Sequence, residues 1–393
     1  GFRLGGPAEV TLKLGRFVIA PKQPSSSAVQ ASAEIEELVL AERESGARAT
    51  LRALSLGIQA DDLRKPVVVA FTGTVEDEQK PGRIEGRLLL YAWDEKEQKV
   101  RVDPTALSFD SRMVLEDIPV GPLDRALGLE QRGLAVLGDQ FTAQSESRMR
   151  SGRGTVNFNI VSGNAKGNVA LRVDRKVAYL DKPIDAQIDF NDRMAAIVLP
   201  ELGPLFKGVE STEEPIKLRI EQQGFAIPLE RFDIKRLTIP QARIDIGKVV
   251  LNNLWLTDMV QQVVRARLPN NRTSTWFTPL ELEMRNGVIR YRSRLDLLTQ
   301  QSMHLSSWGS VDLGRDRLDL RIAFMTDSLR KHLGVKKARD GDTLQLPIHG
   351  SLDKPKVEYQ AALAGLAKIR AEAEAADKIK EKWARALIEA ALE

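Results

Sequence analysis

The side chains that most often perform chemistry are few and scattered in this chain. Its three histidines, His304, His332 and His349, are far apart, and no two fall at the spacing of paired metal ligands. A serine nucleophile on a G-x-S-x-G elbow, a phosphate-cradling loop and a dinucleotide-binding glycine fingerprint are all missing, and Gly152-Arg153-Gly154 reads as a turn. Cysteine is absent, which excludes thiol catalysis, disulfides and Cys-based zinc sites. Carboxylates are plentiful, but they sit on the polar beat of alternating segments, where a solvated face accounts for them. Asn271-Arg272-Thr273 fits a glycosylation acceptor and reads as a loop. The expectation is a protein with no catalytic residues, no metal ligands and no cofactor. Nucleic acid is not an expected partner either: 58 basic residues nearly cancel 54 acidic ones, and no basic run is interleaved with aromatics.

Function must then lie in surfaces, and the elements that build them are strands. Period-two alternation dominates, placing apolar side chains on one face and polar ones on the other. Val10, Leu12 and Leu14 alternate with Thr11 and Lys13. Val169, Leu171 and Val173 alternate with Arg172 and Asp174, and Ile184, Ala186, Ile188 and Phe190 with Asp185, Gln187 and Asp189. Ile216, Leu218 and Ile220 oppose Lys217, Arg219 and Glu221; Leu318, Leu320, Ile322 and Phe324 oppose Arg317, Asp319 and Arg321. Val311 and Leu313 belong to the segment just before this last one. Such alternation is typical of antiparallel sheets with one wet face. Asn286-Gly287, Gly314 to Arg317, and Ser162-Gly163-Asn164 are turn signals that make the strands sequential hairpins. Ile-Pro or Leu-Pro pairs recur at Ile118, Ile227, Ile239 and Leu346 without a fixed period.

Short helices are expected over Gly121 to Leu129, Pro200 to Phe206, Thr257 to Leu268 and Thr326 to Leu333. From about Ala361 the chain turns rich in Ala, Glu and Lys, with Leu366, Ile369, Ala373, Ala376, Ile379, Trp383 and Leu387 at helical spacing. One long amphipathic helix follows. Its Ala-rich stripe favours covering a sheet edge or meeting a partner over entering a bilayer.

Hydrophobic residues make up 42% and aromatics only 5%, a dilution that suits thin packed layers and an elongated body over one thick core. The expected division is a repeating β-groove over 1–250, a distinct β domain over 251–358 and the helix over 359–393. No run of about 18 apolar residues occurs, so the expectation is either a processed or excised fragment or a membrane anchor upstream of Gly1. The lack of cysteine suits an oxidising compartment such as a periplasm.

Thr275 to Tyr359 resembles the C-terminal domain of the AsmA-like and TamB-like proteins of bacterial envelopes. The resemblance rests on an aromatic-containing strand, a turn at Asn286-Gly287, and a strand ending near Gly309. It continues through the hairpin Gly309 to Leu320 and closes with Leu346-Pro347-Ile348, Gly350, Leu352 and Pro355. It implies a mainly β fold, a long curved antiparallel sheet forming a U-shaped groove or half-barrel with short helices and a C-terminal amphipathic helix. It further implies transport or shielding of phospholipids between inner and outer membranes, with the acyl chains on the apolar face and membrane proteins at the groove's ends. Exposing a diacyl lipid of about 30 methylenes costs on the order of 25 kcal/mol, so crossing water requires a continuous apolar surface. Roughly 20 strands at ~4.8 Å would extend about 100 Å.

Alternation by itself favours a dry core for residues such as Leu318 and Phe324; the resemblance and the few aromatics favour a lipid-facing groove. A structural scaffold, or an outer-membrane assembly protein that pairs through strand edges, is the alternative. An open trough lined by Ile184, Ile188, Phe190, Leu218, Ile220 and Leu320 would favour transport, and a covered one a scaffold.

Overall fold

The structure, a computed structural model, describes residues 2–4, 9–18, 24–42, 48–76, 81–94, 99–100, 107–229, 237–252, 258–259, 261–262, 272–299 and 303–392. It is mainly β, with antiparallel pairing, short interspersed helices and a long last helix, as the alternation predicts. Of the helix expected over Thr257 to Leu268, only Asp258, Met259, Gln261 and Gln262 fall within the described residues, and they are helical. Asn271 lies outside them. Among the described residues, no helix is long and apolar enough to cross a membrane.

Contacts divide the chain into two units: residues 1–197 with 217–242, and residues 198–216 with 243–393. The first is a meander of β1 (Val10–Val18), β2 (Ala28–Glu42), β3 (Arg48–Ala60), β4 (Val67–Glu76), β5 (Gly82–Leu90), β6 (Phe109–Pro119), β7 (Gln140–Arg150), β8 (Arg153–Ser162) and β9 (Ala165–Asp174). Each strand pairs antiparallel with the next. β9 then serves two partners: Ile184–Ile188 on its first half and Val177–Leu180 on its second. Two helices, α1 (Val120–Leu127) and α2 (Arg132–Leu137), interrupt the meander between β6 and β7. The buried Asp124 carboxylate fixes their angle, accepting backbone N–H groups of Gln131, Gly133 and Leu134 that the start of α2 leaves unpaired. α2 was not expected from the sequence.

In the second unit the strands Val209–Thr212, Lys248–Asn252, Arg272–Phe277, Leu295–Thr299, His304–Asp312, Arg317–Phe324, Leu344–Gly350 and Pro355–Val357 pair in that order. The hairpin Leu280–Arg285 to Val288–Tyr291 turns at Asn286 and Gly287, whose φ of 52° and 75° suit a two-residue hairpin turn. His304–Asp312 forks as β9 does, pairing with Leu295–Leu298 before Gly309 and with Val288–Arg290 after it. Gly309 has φ 131°, and a β-carbon there would stand 2.2 Å from the Asp319 carbonyl oxygen, so only glycine fits.

The strands of the second unit are covered on one face. The turn Pro204–Phe206 is buried, and the Phe206 ring stacks on Phe277 at 5.3 Å. The Tyr291 hydroxyl donates to the Leu202 carbonyl, and burial raises its pKa. The Tyr359–Leu392 helix lies along Leu344–Gly350, burying Ala362, Leu366 and Ala373.

Candidate functional site: the apolar face of the first unit

Directly opposed residues of an antiparallel pair share a face, so register alone traces the surface of the meander. One row runs Ala33, Leu56, Phe71, Gly86, Met113, Ser145, Phe158, Val169 from β2 to β9. A second runs Ala31, Ile58, Val69, Leu88, Ser111, Ser147, Val156, Leu171. A third includes Ile84, Leu115, Ala143, Ile160 and Gly167 and reaches Ala186. The opposite face is polar and laced with ion pairs, Lys13 with Glu34, Arg83 with Glu85, Arg153 with Asp174 and Arg219 with Asp185. These exposed pairs contribute little stability each, but they fix which face meets water.

The large apolar side chains of the rows are only half-buried, although their strands have partners on both sides. Leu56, Phe71, Met113, Phe158, Val169 and Leu171 all keep part of their surface accessible, so no second layer among the described residues seals them. β7 forms the floor: Ala143, Ser145 and Ser147 are small and buried, at 2%, 4% and 9% exposure, between larger neighbours. At one end of the strands α1 reaches across to β3. At the other, Met149, Val173 and Ala178 are buried together, and Phe109, Val156, Leu171 and Ile227, themselves partly buried, pack against them. Beside α2 lies a cavity of 690 Å³, lined by Phe141 from the apolar face and by the charged Asp117, Asp139, Asp192 and Arg193.

The apolar candidates read from the sequence divide between the units. Val169, Leu171 and Val173 stand on β9, and register brings Ile184 and Ile188 onto the same face. Leu218 and Ile220 share it too, because Arg219 between them bridges Asp185 on the polar side. Phe190 follows the strand and is half-buried, while Ile216 is buried. In the second unit Val311, Leu318, Leu320, Ile322 and Phe324 are all at most 1% exposed, in a dry core, and Leu313 is half-buried. A β-carbon added at Gly203 would stand 3.3 Å from Leu320, which measures how closely the 198–206 segment covers that face. The rows of β2 to β8 were not singled out from the sequence, although Leu54, Leu56 and Ile58 alternate there as clearly as any.

The histidines do not converge. His304 lies 3.6 Å from Asp296, which also accepts the Ser306 hydroxyl. The carboxylate thus stands between serine and imidazole, whereas in a Ser-His-Asp triad the imidazole stands between serine and carboxylate. His349 lies between Asp319 and Glu358 at 3.8 and 3.3 Å on the surface. Among the described residues no group of three or more His, Asp or Glu could hold a metal ion.

No family model, curated protein or solved structure matches this chain.

Proposed function

We propose that this is a lipid-binding β-groove protein of the bacterial periplasm that shields phospholipid acyl chains on the apolar face of its first unit as they pass between the inner and outer membranes. The observation that carries the reading is the unsealed face: two apolar rows run across eight consecutively paired strands and a third across part of them, with large side chains only half-buried. Seven spacings of ~4.8 Å make the face about 34 Å long, against the roughly 15 Å depth that one leaflet's chains fill. Half-shielding a chain of about 15 methylenes is worth roughly 6 kcal/mol at ~0.8 kcal/mol each, enough to hold a lipid without trapping it. The cavity beside α2 offers carboxylates and a guanidinium to a zwitterionic headgroup at the margin of the face. The absence of cysteine and the resemblance of Thr275 to Tyr359 support the periplasmic setting, with membrane proteins at the groove's ends as partners.

Extraction of the purified protein with organic solvent, followed by mass spectrometry, tests this reading. Phospholipid should accompany the wild type and fall in a folded Leu171→Asp variant. Folded, lipid-free wild type would instead favour the scaffold or assembly reading.

A further inference from the structure

The long helix Tyr359–Leu392 changes partners along its length. Its first part is tied to the second unit: Ala362, Leu366 and Ala373 are buried, Arg370 donates to the Leu333 carbonyl, Arg339 to that of Glu372, and Lys337 pairs with Asp377. Every side chain from Lys378 to Trp383 is exposed. The apolar stripe continues through this stretch. Ala362, Ile369, Ala376 and Trp383 recur every seven residues, and Ile379 stands one turn before Trp383 on the same stripe. Ile379 is 57% and Trp383 68% exposed, the latter the most exposed large apolar side chain among the described residues.

The residues around that stripe identify what would cover it. At 100° per residue, Lys380 and Lys382 flank Ile379 and Trp383 on either side, Lys378 lies further round, and Glu381 points directly away. A stripe of isoleucine and tryptophan bordered by lysines is the pattern of a helix lying in a lipid interface. The indole sits at headgroup depth, and the lysine stems reach up so that their ammonium groups meet phosphates. A partner helix would call for acidic groups facing those lysines, whereas an anionic bilayer supplies them at any rotation. The Ala-rich composition that argues against membrane contact lies on either side of Lys378 to Trp383, a stretch that itself contains no alanine.

We infer that the Lys378 to Trp383 stretch of the long helix docks on an anionic phospholipid surface through Ile379 and Trp383, independently of whether the first unit holds lipid. The test is flotation of the full chain with vesicles of phosphatidylcholine alone or mixed with phosphatidylglycerol. The wild type should float with the mixed vesicles, and an Ile379→Ser, Trp383→Ser double variant at least about tenfold less. Raising salt from about 0.1 to 1 M, which shortens screening from ~10 to ~3 Å, should weaken flotation as Lys380→Gln with Lys382→Gln does. Leu171→Asp, on the apolar face of the first unit, should float like the wild type. Because the substituted positions are exposed, unchanged melting is expected and keeps a negative result readable. Flotation that ignores the double substitution would overturn the inference. So would a wild type that stays in solution while sedimentation shows self-association through the stripe.

Discussion

The ring of Phe71 lies over Gly86 on the neighbouring strand, so close that a β-carbon at Gly86 would stand 2.3 Å from the ring's Cζ. Phe71 is thereby held down on the face in mid-row, its surface half-accessible. Gly86→Val should lift the ring into the space above the strands, costing about 1–3 kcal/mol by overpacking. A lowered melting temperature and a smaller lipid load in the same variant are the expected pair of readouts.

Two leucines with similar sequence surroundings should behave differently. Leu320 is 1% exposed beneath the 198–206 segment, and Leu320→Ala should cost about 2–5 kcal/mol. Leu171 is half-buried on the open face, and Leu171→Ala should cost less than about 1.5 kcal/mol. Chemical denaturation of the two variants measures the split; equal costs would mean that both faces are sealed.

Asp110 carries a pH signature. Its carboxylate takes two hydrogen bonds from Arg150, at 2.7 and 3.1 Å, which with the Tyr91 hydroxyl hold its pKa below the usual 3.8. The charged form is favoured in the folded state, so this stabilisation is fully present above the unfolded value and is lost as pH falls through the lower folded value. Asp110→Asn should therefore melt below the wild type at pH 7, and the gap should close under acid. A gap that is constant with pH would assign the loss to packing.

Tyr291 anchors the cover of the second unit through its hydroxyl to the Leu202 carbonyl. Tyr291→Phe leaves that acceptor unpaired and should cost about 1–3 kcal/mol, with faster amide exchange around Gly203.

The strands were legible because burying one face of a sheet imposes period two; the Leu218, Arg219, Ile220 alternation reappears as two apolar residues on the face and an ion pair to Asp185 behind it. What covers a face was not legible. Val169 and Leu171 read like Leu318 and Leu320, yet the first pair is half-buried and the second fully buried, Leu320 beneath the 198–206 segment that lies far from it in sequence. Alternation reports which side chains leave water and is silent on what they meet. The floor strand β7 escaped for another reason: Ser145 and Ser147 are polar and small, buried because larger neighbours overhang them, and no hydrophobic period marks them. α2 escaped because its first-turn donors are satisfied by Asp124, seven or more residues upstream, beyond the reach of a local capping pattern.

If lipid lies on one face of the meander, β8 allows the two faces to be compared directly. A photo-crosslinking side chain placed at Phe158, on the apolar row, or at Asn157, its neighbour on the polar side, should be irradiated in cells and the adducts identified by mass spectrometry. Phospholipid adducts are expected at position 158 and none above background at 157. Equal labelling at the two positions, or protein adducts alone at 158 in a folded chain, would contradict a lipid on that face.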